Sequence, residues 1–254
     1  MASEAFSPSP SPSPPPADYR EANALIIYST DDTKFLENAE FLRSALVGLN
    51  YGVKTRSLAK LDDEQDWYNE FGRWASREDA KPPNRLVLVY FGHGGVLEKG
   101  LTACDGGEDF SLTPVQRGLR DVCEADVLFV LGTCHSGHRI GEARDSERPD
   151  HIVETLACCD GMTETNCDDW VRRLTGLLDH IRKTNSKMTV REAAKLISRL
   201  RTYYGKGFYS QDSGRESMMF EVLPERMMQC GGGEEPDDEE LRMVLTDFPW
   251  HLPR

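Results

Sequence analysis

Two short segments carry the residue types that could do covalent chemistry. Phe91-Gly92-His93-Gly94-Gly95 closes the apolar run RLVLVYF, and Gly132-Thr133-Cys134-His135-Ser136-Gly137 follows the apolar run DVLFVL. A cysteine thiol is mostly protonated near neutral pH, and a neighbouring imidazole shifts it toward the nucleophilic thiolate. The same imidazole can then protonate a leaving amine. The pattern therefore assigns Cys134 as nucleophile and His93 as general base. A tetrahedral oxyanion needs preorganised donors, and the backbone N–H groups of Gly94 and Cys134 are placed to supply them. The glycines around both residues leave room for a substrate backbone to approach.

Each signal alone is weak. A cysteine at a strand end is usually a small buried hydrophobe, and Cys104, Cys123, Cys158 and Cys159 are read that way. The weight comes from two such groups, each after a buried strand. A metal site built from Cys134, His135 and His138 is disfavoured, because adjacent residues point apart and no CxxC pair exists. Gly92 to Gly95 is too short for a phosphate-binding glycine loop.

The elements that must position these groups are legible as alternating patterns. Ala24 to Tyr28 reads as a buried strand, followed by a cap at Ser29-Thr30-Asp31 and a helix carrying Leu36, Ala39, Leu42, Leu46 and Leu49. Tyr51 to Leu58 is a second strand. Asp62 to Arg77 is a helix with Trp67, Phe71 and Trp74. Arg85 to Phe91 is a third strand, Asp126 to Leu131 a fourth, and a fifth lies within His151 to Cys159. Between the third and fourth, Thr113-Pro114 opens a helix. A helix over Asp168 to Lys183, a capping box at Thr189-Val190-Arg191-Glu192 and a last strand within Ser217 to Leu223 complete the pattern. Near-continuous apolar strands alternating with helices predict an α/β fold: a three-layer α-β-α sandwich on a mostly parallel sheet. Functional groups in such sheets collect beyond the carboxyl ends of the strands, where both segments fall.

The bulk composition fits one domain over 20–226. It is flanked by a Pro/Ser-rich leader over 1–19 and an acidic tail over 227–254. The net charge of −13 argues against a nucleic-acid partner. No apolar run reaches the length a membrane span needs, and no secretory signal is expected. Seven cysteines, an odd number without a secretion signal, point to a reducing cytoplasmic compartment.

At these residues the chain resembles the caspase and metacaspase group of cysteine peptidases. Gly92-His93-Gly94 and Cys134-His135-Ser136-Gly137 match the metacaspase motifs. The separation of 41 residues lies near the roughly 50 of caspases, with histidine first. Leu156-Ala157-Cys158-Cys159-Asp160-Gly161 and the elements after it follow the family's order, so the resemblance covers about 23–224.

It implies a caspase-hemoglobinase fold and a His93/Cys134 dyad. It also implies an oxyanion hole at Gly94 and Cys134, and a polypeptide substrate cleaved through an acyl-enzyme. No cofactor is implied, though Ca²⁺ activates many metacaspases; Asp31/Asp32 and Asp168/Asp169 are read as caps and no metal site is assigned. One departure stands out. Metacaspases carry Asp two residues before the nucleophile and caspases Gln; here the position is Gly132. Asp160 and Asp105 are the acidic residues that could bind a basic side chain instead. The polar loop from His138 to Pro149 falls where the family is often cut during maturation. A catalytically inactive caspase-like interaction module is the alternative reading.

Overall fold

RLVLVYF is apolar on both alternating faces, which suits a strand covered on both sides. The structure, a computed structural model, places it near the middle of a six-stranded sheet. It describes residues 19–58, 71, 74–75, 81–97, 100–105, 108–112, 115, 119, 123–134, 136, 151–159, 167–199, 208–211 and 217–224. The expected leader and tail lie outside these, apart from Tyr19, as do the loop from His138 to Pro149 and most of the helices expected at Asp62 and Thr113.

Strands β1 (Ala22–Tyr28), β2 (Gly52–Ser57), β3 (Arg85–Phe91), β7 (Asp126–Gly132) and β8 (Val153–Ala157) run parallel, in the spatial order β8-β7-β3-β1-β2. β10 (Phe208–Gln211) adds antiparallel to β8 at one edge. On one face Ile26, Val89, Phe91 and Val130 pack on α1 (Thr33–Gly48), α2 (Cys167–Thr184) and α3 (Val190–Arg199). On the other, Ile27, Leu88, Tyr90 and Phe129 bury against Phe71, Trp74, Val115 and Leu119, which are helical. Both faces of the sheet are therefore covered, and each large side chain fully buried contributes about 1.5–3 kcal/mol.

The capping box forms as expected. Thr189 Oγ1 accepts from Glu192 N at 3.1 Å, and Glu192 Oε2 accepts from Thr189 N at 2.9 Å. The cap of α1 is shifted by one residue: Asp32, whose side chain accepts from Lys34 N, closes the helix, while Ser29 and Thr30 are used elsewhere.

Three further differences from the sequence reading concern short strands. The glycine-rich stretch after β3 is an antiparallel sheet of β4 (His93–Leu97), β5 (Gly100–Asp105) and β6 (Glu108–Ser111). Glycines hide the alternation in β4, and β6 has only four residues, too few to show a period. The edge strand β10 was not expected; its Phe208-Tyr209-Ser210-Gln211 is too short to carry a period. Of Ser217 to Leu223, only β11 (Met219–Phe220) is strand, and it pairs with β9 (Met188–Thr189) rather than with the main sheet.

At the amino ends of the strands, Arg85 is fully buried. Its guanidinium lies 4.5 Å from the Tyr19 ring centroid and 4.9 Å from that of Tyr51, and it donates to Tyr51 Oη and the Met219 carbonyl. This polar cluster caps the end of the sheet opposite the chemistry-bearing segments.

Candidate active site

Parallel pairing sets the geometry of the site. Phe91 on β3 stands opposite Gly132 on β7. His93 and Cys134 each lie two residues further on; the His93 ring meets Phe35 of α1 and Cys134 lies close to Cys167 of α2, so both stand on the side of the sheet that carries Phe91. Neighbouring strands are about 4.8 Å apart, which brings the two segments to one rim. Gly94 makes the contact direct. A Cβ there would run into Thr133 Oγ1 and come within 3.1 Å of the Cys134 carbonyl oxygen and 3.2 Å of the Thr102 carbonyl oxygen. No side chain fits between the histidine loop and the nucleophile loop.

His93 is exposed and Cys134 half-buried, so both are open to a ligand. The histidine is braced at two points. Its carbonyl accepts from Tyr90 Oη at 2.7 Å. Its ring meets the edge of Phe35, from α1, with centroids 5.1 Å apart and planes at 89°. Sequence reading missed Phe35, because only the fold brings the first turn of α1 over the end of β3.

Cys134 sits beside the start of α2. Burial, with the Asp168 carboxylate next to it, pushes the Cys167 thiol up to about 12, and Cys134 is near enough to add to that effect. Asn38 Nδ2 donates to Cys167 Sγ at 3.4 Å and to Asp168 Oδ1 at 2.9 Å. Burial also raises the thiols of Cys123 and Cys158. These three buried thiols are protonated at neutral pH and are poor nucleophiles.

Cys158 and Cys159 are buried, as expected of small apolar groups. They also do something the sequence did not announce. Cys158 Sγ donates to the Thr133 carbonyl at 3.3 Å and Cys159 Sγ donates to the same oxygen at 3.4 Å. Ser136 Oγ, part of the Cys-His-Ser-Gly motif, packs 3.4 Å from Cys159 Sγ.

The two acidic candidates part ways. Asp160 lies outside the described residues, as do His135 and His138. Asp105 is buried; its Oδ1 accepts from Ser29 Oγ at 2.9 Å, Thr30 N at 3.0 Å and Thr30 Oγ1 at 3.2 Å. It thereby ties the β4-β5-β6 sheet to the carboxyl end of β1, next to the histidine loop. Its second oxygen accepts from Thr30 Oγ1 at 3.3 Å. Among the described residues no group of three or more His, Cys, Asp or Glu is arranged to hold a metal, and no helix is long and apolar enough to cross a membrane.

Gly132 has a physical reason to be glycine. A Cβ at this position would run into the ring of Phe91. The place where the resembled families carry Asp or Gln is filled from the neighbouring strand.

No protein-family model and no curated protein matches the chain. Solved structures do. A Geobacter sulfurreducens protein determined as a structural-genomics target superposes with a TM-score of 0.58 at 15% identity, covering 80% of this chain and 100% of its own. Caspase-1 of Spodoptera frugiperda superposes with a TM-score of 0.58 at 13% identity, covering 88% of this chain and 100% of its own. The chain has a caspase-like fold: a mostly parallel central sheet between helical layers.

Proposed function

We propose that the chain is a cysteine endopeptidase of the caspase/metacaspase type, with Cys134 as nucleophile and His93 as general base. The observation that supports this is the pairing of Phe91 with Gly132: the exposed His93 and the half-buried Cys134 each follow two residues beyond that pair, past the ends of neighbouring strands. His93 takes the Cys134 proton, and the sulfur attacks the substrate carbonyl carbon. The N–H groups of Gly94 and Cys134 receive the developing oxyanion. His93 returns the proton to the leaving amine, and water, deprotonated by the same imidazole, hydrolyses the acyl-enzyme. Neither a metal nor a cofactor enters these steps; the role open to Ca²⁺ is that of an activator.

The partner is a polypeptide, with no role for nucleic acid or membrane, and the setting is the reducing cytoplasm. The charge of −13 favours a basic substrate. Asp160 and Asp105 are proposed as the acidic groups that meet its side chain. A fluorogenic panel with Arg, Lys, Asp and Leu at the cleaved position, run with and without Ca²⁺, tests the reading: cleavage that disappears in Cys134→Ala supports it. Turnover retained in that variant rules the mechanism out.

A second reading has one specific observation behind it. The Phe91 ring fills the space beside Gly132 where a specificity side chain would stand. An inactive caspase-like module that regulates a partner is consistent with that. A peptidyl thiol-directed inhibitor separates the two: selective attachment at Cys134 favours catalysis, and equal attachment to several cysteines favours the module.

A further inference from the structure

We infer that Cys158 and Cys159 are positioning residues that aim the Cys134 N–H into the oxyanion pocket. The inference rests on the peptidase reading above. It begins with the order β8-β7-β3, in which β7 carries the nucleophile and stands between its two neighbours. Along the end of β7 the carbonyls alternate: Leu131 O accepts from Cys158 N at 3.0 Å on the β8 side, and Gly132 O accepts from Gly92 N at 3.5 Å on the β3 side. Thr133 O continues the alternation toward β8, where it accepts from two thiols, Cys158 Sγ at 3.3 Å and Cys159 Sγ at 3.4 Å.

A carbonyl has two lone pairs, so both thiols can be satisfied together. The Thr133 carbonyl and the Cys134 N–H belong to one planar trans peptide and point in opposite directions. Holding the carbonyl toward β8 therefore turns the N–H toward β3, where Gly94 packs on the Cys134 backbone. The two thiols extend the strand's hydrogen-bond pattern past the end of β7, at one of the two peptides whose N–H groups are assigned to the oxyanion. Burial keeps the Cys158 thiol protonated and thus a donor.

The test compares Cys158→Ala/Cys159→Ala with Cys158→Ser/Cys159→Ser in the full chain, alongside each single variant. Alanine removes the donors; serine keeps them. Losing a whole oxyanion donor costs about 10²–10³ in kcat, so a misaimed one should cost about tenfold or more. We expect kcat to fall by that factor in the alanine pair with KM unchanged, and the serine pair to recover most of it.

A readout independent of turnover is the Cys134 amide in ¹⁵N-cysteine-labelled protein, assigned by its loss in Cys134→Ala. Its resonance should move in the alanine pair and stay near wild type in the serine pair. A stationary resonance in a folded alanine pair overturns the inference. So does unchanged kcat in that pair when wild type is active. A wild type that cleaves no peptide overturns the peptidase reading instead, and the amide resonance then still decides whether the thiols orient the peptide.

Discussion

Phe91 and Gly132 share one side-chain space: they stand opposite each other on β3 and β7, and a Cβ on Gly132 would enter the Phe91 ring. Phe91 is fully buried and cannot swing aside at low cost. Overpacking a core position typically costs about 1–3 kcal/mol, and Gly132→Ala is expected to lose that much in chemical denaturation. Adding Phe91→Leu should return part of the loss. The two changes therefore couple, and strictly additive effects would show that the ring does not hold position 132 to glycine.

Gly94 and Gly95 make a matched pair. A methyl group on Gly94 would meet Thr133 Oγ1 and the Cys134 carbonyl, whereas one on Gly95 would lie 3.7 Å from Thr102 Oγ1, an ordinary contact. Gly94→Ala should separate the histidine and nucleophile loops and lower kcat/KM by about 10²-fold or more, the scale of losing an oxyanion donor. Gly95→Ala should stay within a few-fold of wild type. Equal activities in the two variants would remove Gly94 from the oxyanion hole.

Glu154 gives the fold a pH signature. Its carboxyl is fully buried on β8, and burial raises its pKa above the ordinary 4.5, against the opposing pull of hydrogen bonds from Ser217, Tyr209 and Met218. Folded chains then hold this proton to higher pH than unfolded ones. The stabilising contribution is complete below 4.5 and is lost as pH rises through the folded pKa. Glu154→Gln removes that dependence. Denaturation midpoints measured from pH 4 upward should show the wild type losing ground to the variant; parallel curves would contradict the assignment.

The parallel strands were the legible part of this fold. Arg85 to Phe91 is observed with the bounds its apolar run predicts, and the Thr189/Glu192 capping box forms the two hydrogen bonds its spacing requires. The rim position of His93 and Cys134 followed from the strand-end rule. What the sequence concealed is contact between distant segments. Phe35 edges onto His93, Asp105 binds Ser29 and Thr30, and Cys158 and Cys159 grip Thr133, each across many residues of chain. Cysteine beside cysteine at a strand end, on the rim that holds the nucleophile, was the one available hint of the last. The β4-β5-β6 sheet escaped because β4 holds two glycines, which carry no alternating side chain, and β6 is only four residues long.

The most direct measurement is covalent labelling by an irreversible thiol-directed peptidyl inhibitor, mapped by mass spectrometry in wild type and in His93→Ala. Cys123, Cys158 and Cys167 are buried with raised thiols, whereas Cys134 is half-buried and follows the strand next to the one that His93, which is exposed, follows. A single adduct is expected at Cys134 at neutral pH, formed about 10²-fold or more slowly without His93, the lower end of a general base's contribution. Labelling spread over several cysteines, or an adduct at Cys134 that forms equally fast in His93→Ala, would contradict it.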